Sequence, residues 1–212
     1  MLVTCSHIRY ALVVIIAMAA YDLFGQSKPS EYELNIVKGR KAKDKELGSR
    51  RHSPLQPEDR KHFDGLHYFD VDVKWKMNAH FQKVDEGDTT DIMTSSGKAK
   101  RFYEYGILIF EHLGAADTLT AYMRIWPEGF DSPYDPYLFV PFTDLSTGQS
   151  TYGGGRYLDI GVPETNGDQT LDFNLCYNPY CAYGGGFSCP IPPKKNFLDM
   201  YVEAGERDYG EH

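Results

Sequence analysis

The sequence predicts one all-β domain, a mostly antiparallel sandwich or partly open barrel of about eight or nine strands, with one short N-terminal helix. The first observation is residues 69–81, where Phe69, Val71, Val73, Trp75, Met77, Ala79 and Phe81 alternate with Asp70, Asp72, Lys74, Lys76, Asn78 and His80. Side chains along a strand point to opposite faces in turn, so one row enters a core and the other meets water. The second is the return of this pattern at Leu119, Ala121, Met123 and Ile125, and again at Leu198, Met200, Val202 and Ala204. The third is punctuation. Short strand-like runs at 90–94, 101–111, 137–142, 156–161 and 169–175 are separated by clusters of Gly, Pro, Asn and Asp, which is how turns divide strands.

The elements follow in order. Residues 1–25 have the anatomy of a signal peptide: Arg9 as the positive charge, an apolar run at 11–20, and small Gly25 ahead of Gln26. The run is about half of the roughly 20 residues that a membrane-crossing helix needs. Export to the periplasm or the exterior, with no stable membrane span after cleavage, is therefore expected; the alternative is a membrane tether made by an uncleaved N-terminal segment. Residues 26–66 supply a helix and a connecting arm. Tyr32, Ile36 and Val37 stand at helical spacing in the charged stretch 30–48, which Gly48 stops. The arm, 49–66, carries Pro54 and Pro57 and no regular period. Residues 67–206 form the β-rich domain and 207–212 a C-terminal tail. The run 69–81 is long for one strand, so a bend or bulge is expected inside it.

Composition removes several functions. A net charge of −8 repels a phosphate backbone, which is gripped by clustered Lys and Arg, so nucleic acid is not an expected partner. Zinc-helix, phosphate-loop, nucleophile-elbow and Cys-x-x-Cys motifs do not occur in the sequence. Gly153-Gly154-Gly155 leads into a strand rather than a helix, so it reads as a turn needing positive φ rather than an anion cradle. Asp70, Asp72 and His80 share one strand face but read as solvated charges, and neither a metal site nor a cofactor is expected.

The stretch 139–206 is the most distinctive. It contains Pro141-Phe142-Thr143-Asp144, Thr151-Tyr152, Gly155-Arg156-Tyr157-Leu158, Asp172-Phe173-Asn174, Tyr177-Asn178-Pro179-Tyr180-Cys181-Ala182-Tyr183, Cys189-Pro190-Ile191-Pro192-Pro193 with Asn196, and Ala204-Gly205-Glu206. These words, in this order, resemble the bacterial domain-of-unknown-function family 1684. The likeness extends back through Ser53-Pro54-Leu55, Phe63-Asp64-Gly65-Leu66, Tyr68-Phe69 and Gly106 to Phe110. It departs at Cys176, where the family usually carries a small residue, which puts any redox role for this third thiol in doubt. The resemblance implies a β-rich domain and supplies no activity or catalytic residue.

The residues themselves suggest a polar site in this region. Asp172 and Asn174 project from the face opposite Leu171 and Phe173, and Arg156 and Asp159 leave the neighbouring strand. If Arg156 meets Asp172, the pair joins Asn174, Asn178 and the rings of Tyr152, Tyr177 and Tyr180 in a concave aromatic site. The other reading is a buried hydrogen-bond network that ties loops to the sheet, since a buried charge must be paired. Tyr152, Arg156, Asp159, Asp172, Asn174, Asn178 and Tyr180 are the ligand-binding candidates. Cys181 and Cys189 bracket a glycine-rich loop in a chain expected to leave the cytosol, so a disulfide is the first expectation, ahead of free thiols, metal ligation or a reactive nucleophile. The leading function is a non-catalytic binding or envelope-associated module for a small polar ligand, a glycan or an envelope protein. One alternative is a hydrolase-like enzyme with Asp172 as general base and Arg156 holding an oxygen. The other is a purely structural role for the polar words.

Overall fold

The computed structural model describes residues 28–51, 53–130, 132 and 135–210; the signal peptide expected at 1–25 lies outside them. The chain divides into two compact units, 1–35 and 36–212. In the first, helix α1 (Glu31–Leu47) begins with a reciprocal cap. The Ser30 N–H and hydroxyl both donate to Glu33 Oε2 (2.6 and 2.8 Å), and the Glu33 N–H donates back to Ser30 Oγ at 3.2 Å. This Ser-x-x-Glu box satisfies backbone donors that a helix start otherwise leaves open. In the second unit the rest of α1 buries Ile36 and Leu47, and Gly48 ends it with its N–H on the Asp44 carbonyl at 2.9 Å. The expected arm contains one regular turn, α2 (Pro57–Lys61), with Pro57 at its start, where a missing N–H costs nothing.

The remaining second unit is built on eight strands: β1 (Lys76–Lys83), β2 (Thr89–Met93), β3 (Ala99–His112), β4 (Ala115–Arg124), β5 (Tyr137–Asp144), β6 (Arg156–Gly161), β7 (Gly167–Asp172) and β8 (Phe197–Leu198). They form one sheet in the order β6-β5-β4-β3-β1-β7, with β2 on β3 and the short β8 parallel to β5. All the other pairings are antiparallel, and the sheet curls into a half-barrel. The predicted all-β class with one N-terminal helix therefore holds. β3 changes partners along its length: Ala99–Tyr103 pair with β2, Gly106–Phe110 with β1, and the register against β4 shifts between Glu104 and Gly106. A bulge there lets one strand bend to serve two neighbours.

Three strand assignments change. The expected strand 69–81 starts only at Lys76, because Val73–Trp75 is a 3-10 turn capped by the Asp72 carboxylate; this turn is the interruption that its length required. Likewise Phe173–Leu175 is a 3-10 turn capped by Asp172. The last stretch pairs as strand only at Phe197–Leu198. Beyond it the chain keeps its alternation, with Val202 and Ala204 buried, but its carbonyls meet the side chain of Arg156 instead of a neighbouring strand.

One face of the sheet carries the main core, including Trp75, Phe81, Leu108, Leu119, Leu138, Phe142, Leu158, Leu171, Phe173 and Val202. The residues of opposite parity on β4 to β6, Tyr122, Phe139 and Tyr157, make a second cluster on the other face with Phe102, which the register shift in β3 turns to this side, joined by Ile92 and flanked by Tyr137 and Tyr177. Because both faces of these strands are apolar, simple alternation is lost there, as in any strand covered on two sides. Where β4 and β5 share only the Tyr122–Phe139 pair, Asn196 takes over. It is fully buried, accepts from the Thr120 N–H at 2.9 Å and donates to the Thr120 and Pro141 carbonyls at 2.9 and 2.7 Å.

Candidate functional site

The second face of the sheet is incompletely covered. Helix α1 crosses above it through Gly39, Ala42, Lys43 and Glu46, and the segment 177–190 closes the other side. Between them lies a cavity of about 940 Å³, at the upper end of the range for small-ligand pockets. The rings of Tyr137 and Phe139 from β5, Tyr157 from β6, and Tyr177, Tyr180 and Phe187 from the covering segment line it. Neighbouring rings brace one another: Phe139 and Tyr157 at 4.7 Å between centroids, Tyr157 and Tyr177 at 5.8 Å and perpendicular, Tyr180 and Phe187 at 5.4 Å. Edge-to-face packing of this kind holds ring positions without large distortion.

The covering segment is fixed in three ways. Cys181 and Cys189 are disulfide-bonded, as expected. Tyr157 donates its hydroxyl to the Pro190 carbonyl at 2.5 Å, and Lys100 donates to the Ser188 carbonyl at 2.6 Å. Loss of water around the Lys100 ammonium, with Arg124 nearby, lowers its pKa.

Asp159 stands among the rings, from β6. Its Oδ2 accepts the Tyr177 hydroxyl at 2.7 Å. It is open to water yet surrounded by protein on most sides, and this desolvation raises its carboxyl above the usual range, only partly offset by the Tyr177 bond. Burial, and then Asp159 itself, push the Tyr177 phenol well above 10 in turn, so Tyr177 stays a donor. On the helix side, Lys43 pairs with the buried Glu206 at 2.5 Å and donates to the Tyr183 hydroxyl at 3.2 Å, while its ammonium sits 5.0 Å from the Tyr177 ring centre. Glu206 Oε2 receives the Tyr183 hydroxyl and the Asn178 N–H, the latter at 2.9 Å.

Residues 61–207 match the family described as Protein of unknown function (DUF1684). The chain belongs to this family. The solution NMR structure of an uncharacterized protein of Haloarcula marismortui is similar at 37% identity and a TM-score of 0.65, over 86% of this chain and 97% of that one. No curated protein matches.

The ligand-binding candidates divide between the two faces. Asp159, Asn178 and Tyr180 line the cavity; Tyr152, Arg156, Asp172 and Asn174 do not. Arg156 shares the parity of Leu158 and Ile160 and points into the core, 1% exposed. Its Nη2 meets Asp144 Oδ2 and the Val202 carbonyl, both at 2.8 Å, and its Nη1 donates to the carbonyls of Ala204 and Glu206 at 2.6 and 3.2 Å. No bond joins it to Asp172. Asp172 Oδ1 instead accepts the Asn174 N–H and the Asn174 side-chain amide at 3.0 and 3.1 Å. Asn174 also exchanges bonds with the Asp72 backbone at 3.1 and 2.8 Å. Tyr152 packs against the small cluster of Leu47, Leu55, Leu66, Ala182 and Tyr183.

Sequence reasoning passed over Lys43, Lys100, Tyr137, Phe139, Tyr157 and Glu206. The pairing of Tyr137 with Phe139, and of Tyr157 with Asp159, at period two was a usable signal. It set a second apolar row opposite Leu138, Val140 and Leu158. Nothing in the helix sequence singled out Lys43 from its six neighbouring lysines and arginines at 38–51, because its role depends on what the fold brings beneath it.

Proposed function

We propose that this DUF1684 chain is an exported, non-catalytic binding protein that holds a small polar ligand in the aromatic cavity, with Asp159, Asn178 and Tyr180 among its contacts. The cavity carries the reading: its size suits a small molecule, its walls are braced rings, and one desolvated carboxylate stands within it. Export draws support from the leader-like residues 1–25 and from the Cys181–Cys189 disulfide, a bond that oxidising compartments maintain. The hydrolase alternative is weaker, because Asp172 caps a turn away from the cavity wall and Arg156 is bound to four acceptors inside the core.

The test is a mass-spectrometric survey of small molecules retained by the full chain and by Ala42→Trp. Ala42 lies on the exposed face of α1 above the cavity, so the indole fills the space without entering a packed core. A compound class held by wild type and absent from Ala42→Trp is expected. Equal retention by both, or retention by neither, overturns the reading. Export is checked separately by the N-terminal residue of the secreted chain, which is near Gln26 if the leader is removed; an intact Met1 refutes cleavage.

A further inference from the structure

The polar groups of the cavity wall are unevenly satisfied, and this bears on what fits inside. Four of the donors already have acceptors within the protein. The Tyr157 hydroxyl is on Pro190, the Tyr177 hydroxyl on Asp159, Lys100 on the Ser188 carbonyl, and Lys43 on Glu206 and Tyr183. The group left over is an acceptor: Asp159 Oδ1 has no partner among the described residues. With the Tyr157 hydroxyl on Pro190 and the Tyr177 hydroxyl on Asp159, these two phenols have already spent their donors.

Charge points the same way. The wall carries Lys43 and Lys100 against Glu46 and Asp159. Lys43 is neutralised at 2.5 Å by Glu206, which leaves one excess negative charge on the wall. An ammonium already rests on one of these rings, since Lys43 lies 5.0 Å from the Tyr177 centroid. Ring faces attract cations electrostatically, most strongly where water is excluded.

We propose that the cavity selects a cationic ligand, an amine or quaternary ammonium compound, seated among the aromatic rings of the wall with Asp159 as its counter-ion. This rests on the binding reading above and names its ligand class. A phosphate or a carboxylate would sit beside the Asp159 charge, with Lys100, which already gives one N–H to the Ser188 carbonyl, as the cation available to it. A neutral sugar finds stacking surfaces but gains nothing from the unpaired charge. The raised pKa of Asp159 agrees, because a cation replaces the water that the carboxylate has lost.

The experiment titrates the full chain with choline chloride, with its neutral isostere 3,3-dimethylbutan-1-ol, and with glucose, following tyrosine resonances by NMR. Choline is expected to bind about tenfold more tightly than the isostere, a preference of the size that a desolvated cation over aromatic faces supplies. Asp159→Asn keeps an acceptor for the Tyr177 hydroxyl and removes the charge; with its fold verified by circular dichroism, it is expected to erase the difference. Equal binding of choline and the isostere, or a preference for glucose, overturns the cationic class and leaves the binding reading standing. Failure of all three to perturb the cavity tyrosines overturns both.

Discussion

Replacing Arg156 by alanine tests whether the core-facing polar words hold the molecule together. The guanidinium is 1% exposed and joins the buried Asp144 carboxylate to the carbonyls of Val202, Ala204 and Glu206. Truncation leaves Asp144 with the Ser146 N–H at 2.6 Å as its remaining local donor. Stranding one member of a buried pair costs about 3–5 kcal/mol, and the three carbonyls add up to about 1–3 kcal/mol each where water does not reach them. Water entering the vacated space recovers part of this, so we expect a loss of about 4–6 kcal/mol, close to the whole stability of many domains. In a chain of this size that lowers the melting temperature by about 10–20 °C. Urea unfolding followed by circular dichroism measures it. The double variant Arg156→Met with Asp144→Leu separates charge from architecture: an isolated ion pair is often replaced by apolar groups without loss, whereas here the C-terminal carbonyls stay orphaned and most of the loss persists. A fall below about 1.5 kcal/mol for Arg156→Ala, within the range of one ordinary hydrogen bond, would refute this account.

Four other substitutions and treatments have definite expected outcomes. Asn196→Ala opens the β4–β5 seam and is expected to cost about 3 kcal/mol, three main-chain groups losing their partner; a urea midpoint unchanged from wild type counts against that role. Gly205 has φ +71°, and an added Cβ meets Cys176 Sγ at 2.4 Å and its carbonyl at 2.5 Å, so Gly205→Ala is expected to destabilise well beyond the ~1 kcal/mol of a simple glycine replacement. Cys176 is buried, and desolvation pushes its thiol up to about 11; iodoacetamide at pH 8 should modify it only after unfolding, and rapid native labelling would contradict its burial. For Asp159 the raised carboxyl means that the folded state holds its proton more tightly than the unfolded one, so ionising it opposes folding. Asp159→Asn is therefore expected to be stabler than wild type at pH 7, with the difference vanishing as pH falls through the carboxylate range. A gap that widens on acidification reverses the sign and the argument.

Much of the fold was legible because one rule, alternation, operates over residues 76–83 and 197–204 with little interference. The rule fails where side chains take over from backbone. At 202–206 the chain looks like a strand and is buried like one, yet its carbonyls meet a guanidinium, a partner 46 or more positions away. At 173–175 the apolar spacing also fits a strand, but Asp172 bends the backbone by accepting the Asn174 N–H. An Asp at the start of such a turn is a capping signal, and Ser30 with Glu33 is another; both were present in the sequence. The cavity was only half legible. Asp159 and Asn178 belong to it, but grouping Arg156 with Asp159 set aside the parity that puts them on opposite faces of β6.

That parity also explains how the polar words and the cavity are connected. Arg156 and Tyr157 are consecutive: the first ties the C-terminal segment beneath the sheet, while the second holds Pro190 above it. Glu206 closes the circuit, since its carbonyl accepts from Arg156 on the core side and its carboxylate anchors Lys43 of the helix over the cavity. The roof of the cavity thus depends on a residue positioned by the core. Releasing the segment at Arg156 should loosen Lys43 and α1 as well as the sheet. The disulfide acts on the opposite wall and independently of this: by the chain-entropy relation, closing a nine-residue loop stabilises by about 2.5 kcal/mol, and the same closure fixes Tyr180, Phe187 and Pro190 around the rings. Reduction is therefore expected to weaken ligand retention more than Asn196→Ala does at comparable loss of stability, because Asn196 lies on no wall of the cavity. Equal weakening by the two would mean that retention tracks global stability alone.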